Sequence, residues 1–480
     1  LLEALILAVA GGVLGVILCA FFNSWFARSM AVVGVPLWLA FKVDLPILAF
    51  TLGASALAAL LAGLMPAWRV SAISVHEVLQ DESRGTSSLR TGRWSQAMVV
   101  VAITLAFPLL VGAGLMVRSV AASDTGDAFS TDGVLVARLN LPGRIYSNGE
   151  AREAFWDELL DRARGAPGVS GVAYASDLPG AGSGSQRVGI EGTEYLREID
   201  RPWARVARVS QGFFDLLDVR PTAGRVVEVA DRDGPPIAVI NGPFADRYFP
   251  GVDPLGREVT TMEIFGPVPR TVVGVVPDLL MGGDSERIPE GLYVYPAPGT
   301  MGGGHLLLKT QGDPLNLAPP IREEVGRIDP DQPISKLGTL DDFIQEAFWL
   351  LTILGSIFTG FGLSALFLAA VGLYGVMANS VTQRTREMGV RRALGADGPS
   401  ILTLVLKAGL RRVVLGLALG GGLAFLASRS LAAVLFRVEP RDPATFAAVT
   451  GVLLAVGLLA TLVPAIRATR MDPVEALREE

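Results

Sequence analysis

Six stretches of the chain are apolar around the whole helix for long enough to cross a bilayer: about 4–22, 46–66, 97–117, 349–378, 413–428 with its flanks, and 444–466. A hydrocarbon core of about 30 Å needs ~20 apolar residues in a helix. One such run alone would read as a buried core helix, but six together exceed what a soluble core buries. No basic segment precedes the first run, which argues against a cleaved signal peptide. The chain opens on Leu1 inside that hydrophobic stretch, so it is expected to continue a longer polypeptide.

Between the third and fourth runs the pattern changes. VLVARLNL (134–141) alternates like a strand, Glu150 to Arg164 is helix-like, and VSGVAYAS (169–176) is strand-like again, a β-α-β unit. A Gly/Ser-rich stretch, GAGSGS (180–185), lacks the Lys-Ser/Thr of a phosphate loop and is expected as a solvated turn. Strand-like IAVI (237–240), TVVGVV (271–276) and HLLLKT (305–310) follow, then a helix near 314–328 and a strand near 333–337, a second β-α-β unit placed at the opposite end of the segment. The Gly/Pro-rich stretch 281–304 is expected as a loop between the units. The predicted fold class is an α-helical membrane protein with six transmembrane helices and an α+β extracytoplasmic domain.

Basic residues set the orientation. The connections 67–96, 379–412 and 465–480 hold fourteen Lys and Arg, and those on the other side hold six, so the first set is expected in the cytoplasm and residues 119–347 outside. Half of the 480 residues are hydrophobic and 18 % are charged, against about 25 % in soluble proteins. Residues 120–345 carry 33 acidic and 21 basic side chains. That surplus of negative charge excludes a nucleic-acid surface. Arginine outnumbers lysine 37 to 4, a coding bias rather than a functional signal.

The cytoplasmic ends repeat. PAWRVSAISVHEVL (66–79) and PAIRATRMDPVEAL (464–477) align at an offset of 398, matching Pro66 to Pro464, Arg69 to Arg467, Glu77 to Glu475 and Leu79 to Leu477. Ser74 and Asp472 are N-cap types, each followed three residues later by Glu77 or Glu475, the capping-box spacing, and Pro473 occupies the first helical position. The helices before the two copies carry Gly11/Gly15 and Gly416/Gly420, a spacing that lets membrane helices pack closely. Two related membrane units are thus expected, the first represented by its last two helices.

Material for catalysis is scarce. Cys19 is the single cysteine, and the two histidines, His76 and His305, fall on opposite predicted faces of the membrane. No Walker A lysine motif occurs, so these residues do not hydrolyse ATP themselves. No catalytic, cofactor or metal site is expected. The informative cytoplasmic stretch is QRTREMGVRRALGAD (383–397). Within it Glu387 and Arg391 form an i,i+4 pair in the favourable order, Val390, Ala393 and Leu394 share a face, and Gly395 stops the helix. An apolar face on a short cytoplasmic helix needs a cover, either lipid or a partner protein.

REMGVRRALGA resembles the cytoplasmic coupling segment of FtsX/MacB-type permeases of ABC systems, and the terminal PAIRATRMDPVEALR is similar to theirs. RWSQAMVVVAITLAFPLLVGAGLMVRS (93–119) resembles the opening helix of such a unit. VSQGFFDLLDVRPTAGR (209–225), YFPGVDPLGR (248–257) and VVGVVPD (272–278) resemble the MacB-like periplasmic core domain. The resemblance implies that Arg386, Glu387, Met388, Gly389 and Val390, followed by Arg391, Arg392, Ala393, Leu394 and Gly395, couple the permease to an ATPase. It implies last helices of a first FtsX-like unit over 1–82, a cytoplasmic linker 83–96, a membrane helix 97–118, a MacB-like core 119–347 and an FtsX-like domain 348–480. The first unit's opening helix, ectodomain, second helix and coupling segment are not in this sequence.

The function so implied is that of an export or mechanotransmission permease, multi-pass in a bacterial inner membrane, worked by a cytoplasmic ABC ATPase dimer. The ectodomain is then a transmission and binding module, with a place for a periplasmic adaptor or outer-membrane partner. Two alternatives use the same parts. One is a non-transporting transducer that regulates an external partner such as a cell-wall hydrolase. The other is a membrane sensor or interaction protein that needs no ATPase.

Overall fold

The computed structural model describes residues 6, 9–17, 19–21, 23–24, 44–46, 48–57, 88–122, 128–143, 145–263, 266–282, 288–383, 388, 391, 397–432 and 434–469. In chain order the elements are α1 (Ser88–Ala122), β1 (Val134–Leu139), α2 (Gly149–Arg164), β2 (Gly171–Ala175), β3 (Ser185–Ile190), β4 (Trp203–Arg208), α3 (Phe213–Leu216), β5 (Ala223–Gly224), β6 (Ile237–Asn241) and α4 (Gly242–Tyr248). They continue with β7 (Glu258–Glu263), β8 (Gly266–Val276), β9 (Gly291–Val294), β10 (Gly304–Lys309), α5 (Ala318–Ile328), β11 (Ile334–Thr339), α6 (Leu340–Ala347), α7 (Trp349–Gln383), α8 (Gly398–Leu431) and α9 (Pro443–Thr469). Two compact units result, one of Leu1–Val111, Phe358–Ser428 and Pro443–Glu480, the other of Gly112–Ile357 and Arg429–Asp442.

Among the described residues three helices are long and apolar enough to cross a membrane: Gln96–Ala122, Trp349–Gln383 and Pro443–Arg467. The fifth apolar run lies inside α8, a single 34-residue helix. The first two runs appear as shorter apolar helices, Val9–Phe21 and Leu48–Leu57, so six spans are an expectation that reaches past what is described. The buried positions of α8 run down one stripe, Ile401, Val405, Gly409, Val413, Gly416, Gly420 and Ala424. Small residues on that stripe bring backbones together, the packing that lipid-embedded helices depend on. A Cβ added at Gly420 would stand 2.7 Å from Phe107 Cβ on α1, and one at Gly409 would stand 2.3 Å from Thr461 Cγ2 on α9. No such neighbour meets Gly11 or Gly15.

In the second unit the two β-α-β units, which open and close the segment in sequence, pair into one four-stranded antiparallel sheet of order β11-β1-β10-β2. That order is the split β-α-β arrangement, in which the second unit's strands flank and insert between those of the first. Leu135, Ala137 and Leu139 of β1 meet Trp156, Leu159 and Leu160 of α2 and Ile321 and Val325 of α5 in one core. Asn148 caps α2 through the Ala151 amide at 2.9 Å.

Everything between β2 and β10 forms a second sheet of order β5-β8-β6-β9-β4-β3-β7. An additional pairing of β7 with β8 links the two ends, so six of these strands make a closed hydrogen-bonded ring. Val188, Val206, Ile240, Val259, Val272 and Leu292 fill it. The stretch 281–304 is therefore not a plain loop, since it contributes β9 at the centre of this sheet. The GAGSGS stretch is not simply solvated either. Its Gly180 and Ser183 amides donate to the Leu279 and Met281 carbonyls, and Ser183 is 6 % exposed.

Candidate functional site

Within the second unit, the ends of the helices that carry the apolar runs meet the ectodomain at one place. α1 contributes Met116 and Ser119, both fully buried. A Cβ on Gly355 of α7 would stand 3.4 Å from Met116 Cβ, ordinary contact between the two helices. α6 is set by a capping box, with Thr339 Oγ1 accepting from the Asp342 amide at 3.2 Å and an Asp342 carboxylate oxygen accepting from the Thr339 amide at 2.8 Å. It ends at Phe348, which is buried and starts α7.

The α8–α9 connection closes the arrangement. Phe436, 1 % exposed, packs its ring edge-to-face on Phe348 at 5.0 Å between centroids. Its amide donates to the Ser119 hydroxyl at 3.1 Å, which satisfies a polar group that has no water. Arg437 ion-pairs with Asp278, in the segment that follows β8, and Arg118 at the end of α1 ion-pairs with Asp442 at the start of α9. One aromatic pair, one hydrogen bond and one ion pair thus join the helix ends to the α8–α9 connection, and the Arg437–Asp278 pair joins that connection to the segment after β8.

Two other polar clusters are structural in geometry. Arg138, His305 and Lys336 stand in one row across the first sheet, because Arg138 is paired with His305 on one side and Lys336 on the other. Arg138 Nε donates to His305 Nε2 at 3.1 Å, and Lys336 Nζ lies 4.2 Å from the centre of the Phe343 ring of α6. Burial, reinforced by the neighbouring Arg138 charge, pushes His305 down to about 4. Inside one end of the barrel, Glu263 accepts from Arg208 at 2.5 Å and from Arg270 at 3.1 Å, while Arg270 also donates to Thr261 Oγ1 at 2.9 Å. Among the described residues no group of three His, Cys, Asp or Glu side chains is placed to hold a metal ion.

Of the coupling stretch 383–397, the side chains of Gln383, Met388, Arg391 and Asp397 are described. Met388 is buried in the apolar cluster that includes Leu373, Met377, Ile401 and Ala465, and Arg391 is exposed. Arg386, Glu387, Gly389, Val390, Arg392, Ala393, Leu394 and Gly395 lie outside the described residues, as do Ser74, Glu77, Asp472, Pro473 and Glu475. Sequence reasoning did not single out Ser119, Asp278, Phe436 or Arg437 as a group. A signal was present: two of the family-like motifs, 93–119 and 272–278, end on Ser119 and Asp278.

Comparison with known proteins bears on the same segments. Residues 97–306 match the family model of the MacB-like periplasmic core domain, and residues 359–473 match that of the FtsX-like permease C-terminal domain. An uncharacterized ABC transporter permease of Bacillus subtilis is 28 % identical over 312 residues, 60 % of this chain and 74 % of that protein. A probable syringafactin export ATP-binding/permease protein of Pseudomonas syringae is 27 % identical over 65 % of this chain and 47 % of its own length. The macrolide export ATP-binding/permease protein MacB of Neisseria meningitidis is 26 % identical over 71 % of this chain and 52 % of its own. The chain thus spans about half the length of these two export proteins. Among solved structures, the periplasmic region of MacB from Actinobacillus actinomycetemcomitans aligns at 13 % identity, covering 45 % of this chain and 92 % of that one with a TM-score of 0.31.

Proposed function

From the premise that the chain belongs to the FtsX/MacB-type ABC permeases, we propose that it is a membrane subunit that transmits the work of a separate cytoplasmic ATPase to its ectodomain. Residues 1–480 hold no Walker A motif, so ATP hydrolysis is assigned to an ATPase outside them. The ATPase docks on the 383–397 segment, and its closing and opening move α7 and α8, which flank that segment in the chain. The observation that carries this reading is the junction of Ser119, Phe348 and Phe436, where α1, α7 and the α8–α9 connection grip one buried point. Movement of any of these helices loads the ectodomain there.

The C-terminus lies in the cytoplasm, on the side of the fourteen basic residues, and the ectodomain outside. Export of a substrate is the purpose in keeping with the relatives that carry an export name. The test is recovery of the ATPase with full-length protein. Glu387→Lys replaces an attractive i,i+4 pair with a repulsive one beside the docking face, a change of only a few tenths of a kcal/mol (~0.2–0.5) in the helix itself. It should lower ATPase recovery at least several-fold while leaving expression unchanged. Equal recovery from wild type and mutant would reduce the segment to a membrane anchor.

A further inference from the structure

Among the described residues three non-glycine residues have a left-handed backbone, and two of them sit across a single contact. Leu280, φ 55°, follows β8 of the barrel, and Arg437, φ 50°, lies in the α8–α9 connection. A branched, bulky residue such as leucine is held in that region only where its surroundings over-determine it, and such strain gathers at switches. One side chain serves both residues. Asp278 accepts the Leu280 amide at 3.0 Å with one carboxylate oxygen, and with the other it pairs with the Arg437 guanidinium.

What Asp278 holds is connected onward. Leu279, Leu280 and Met281 are all buried. The Leu279 carbonyl takes the Gly180 amide at 3.1 Å and the Met281 carbonyl takes the Ser183 amide at 2.8 Å, so the 278–281 segment fixes the β2–β3 loop. That loop is the covalent link from the first sheet into the barrel, and Gly180 in turn rests on Ile344 of α6.

We propose that the Asp278–Arg437 pair is a latch, through which the α8–α9 connection sets the conformation of residues 278–281 and so acts on the barrel without passing through the four-stranded sheet. The pair is partly exposed, with side chains 17 % and 35 % accessible, and ion pairs of that kind add little stability. Its role is positional: withdrawing Arg437 frees the carboxylate that holds Leu280 in its strained backbone, and the two loop hydrogen bonds go with it. The purpose of the latch rests on the permease reading, but the contact is testable without an ATPase, so its failure leaves that reading intact.

The experiment is hydrogen–deuterium exchange of the full chain in lipid nanodiscs. Arg437→Gly removes the guanidinium and accepts the left-handed backbone without strain, while Arg437→Lys keeps a cation in place. Exchange at the amides of Gly180, Ser183 and Leu280 should rise at least tenfold in Arg437→Gly and stay within about twofold of wild type in Arg437→Lys, with Val136 and Leu307 of the first sheet unchanged. No rise at the three amides overturns the latch. So does a rise shared equally by Val136 and Leu307, or one as large in Arg437→Lys.

Discussion

Gly416 on α8 lies so close to Ile103 on α1 that a Cβ added there would stand 2.7 Å from the isoleucine Cβ, closer than side chains approach. The Gly416 carbonyl also accepts from Thr104 Oγ1 at 3.4 Å. Lipid gives helices no hydrophobic reason to associate, so this close approach and its dispersion contacts hold them. Gly416→Val must separate the helices, at a cost of about 1–3 kcal/mol for overpacking. Gly422→Val, with no neighbour within 4 Å of the added carbon, is the matched control. Thermal unfolding in detergent should show a lower midpoint for Gly416→Val and little change for Gly422→Val.

The barrel's buried charges give a second prediction. Arg270 and Glu263 are 2 % and 3 % accessible, with Arg208 on the other carboxylate oxygen. Glu263→Gln leaves Arg270 buried without a counter-charge, and breaking such a pair from one side destabilises by about 3–5 kcal/mol. Replacing Arg270 and Glu263 together, by Met and Gln, removes the deeply buried unmatched charge and leaves only the more accessible Arg208. Denaturant unfolding followed at Trp203 should find the double variant more stable than Glu263→Gln alone. Equal loss in both would mean that the charges are not coupled.

Much of this was legible in the sequence. β1, α2, β2, β6 and β10 fall where alternation and helical spacing put them, within a residue or two. Of the barrel strands that escaped, β3, β7, β9 and the first half of β8 did so for physical reasons. β3 begins at Ser185, inside the Gly/Ser stretch, and β9 is four residues long in a Gly/Pro-rich region. β7, EVTTME, is rich in threonine and has acidic ends, so it shows little apolar alternation. The first half of β8 holds Pro267 and Pro269, residues that normally demote a strand. Only β7 pairs with that half, so the missing N–H groups break no ladder on the other side. The junction was harder to see, since Ser119, Phe348 and Phe436 are brought together by tertiary structure alone. No local spacing encodes that.

His305 predicts a pH dependence. Its pKa is lowered from 6.5 to about 4 by burial and by the Arg138 charge. The unfolded chain takes up a proton as pH falls below 6.5, while the folded chain does not until about 4. This contribution is therefore present in full above pH 6.5 and is lost on acidification between those values, by about 1.4 kcal/mol per pH unit. The difference in unfolding free energy between wild type and His305→Asn should shift across that window in this sense. A pH-independent difference would mean that folding does not shift the His305 pKa.

Orientation can be checked at Leu196, which is 99 % exposed in the β3–β4 loop. In a Cys19→Ser background, Leu196→Cys should react with a membrane-impermeant maleimide applied from outside the cytoplasmic membrane, and Thr469→Cys should not. Labelling at Thr469 but not at Leu196 would invert the topology.

The central claim is that ATP-driven motion of the membrane helices reaches the ectodomain. It is tested by double electron–electron resonance between spin labels at Leu196 in the β3–β4 loop and Leu315 between β10 and α5, both exposed. The full chain is measured in nanodiscs with its co-purified ATPase, nucleotide-free and then trapped with ATP and vanadate. The account predicts that trapping shifts the distance distribution between the two labels, and that Arg437→Gly reduces the shift. Identical distributions in the two nucleotide states, with the ATPase bound and active, would contradict it.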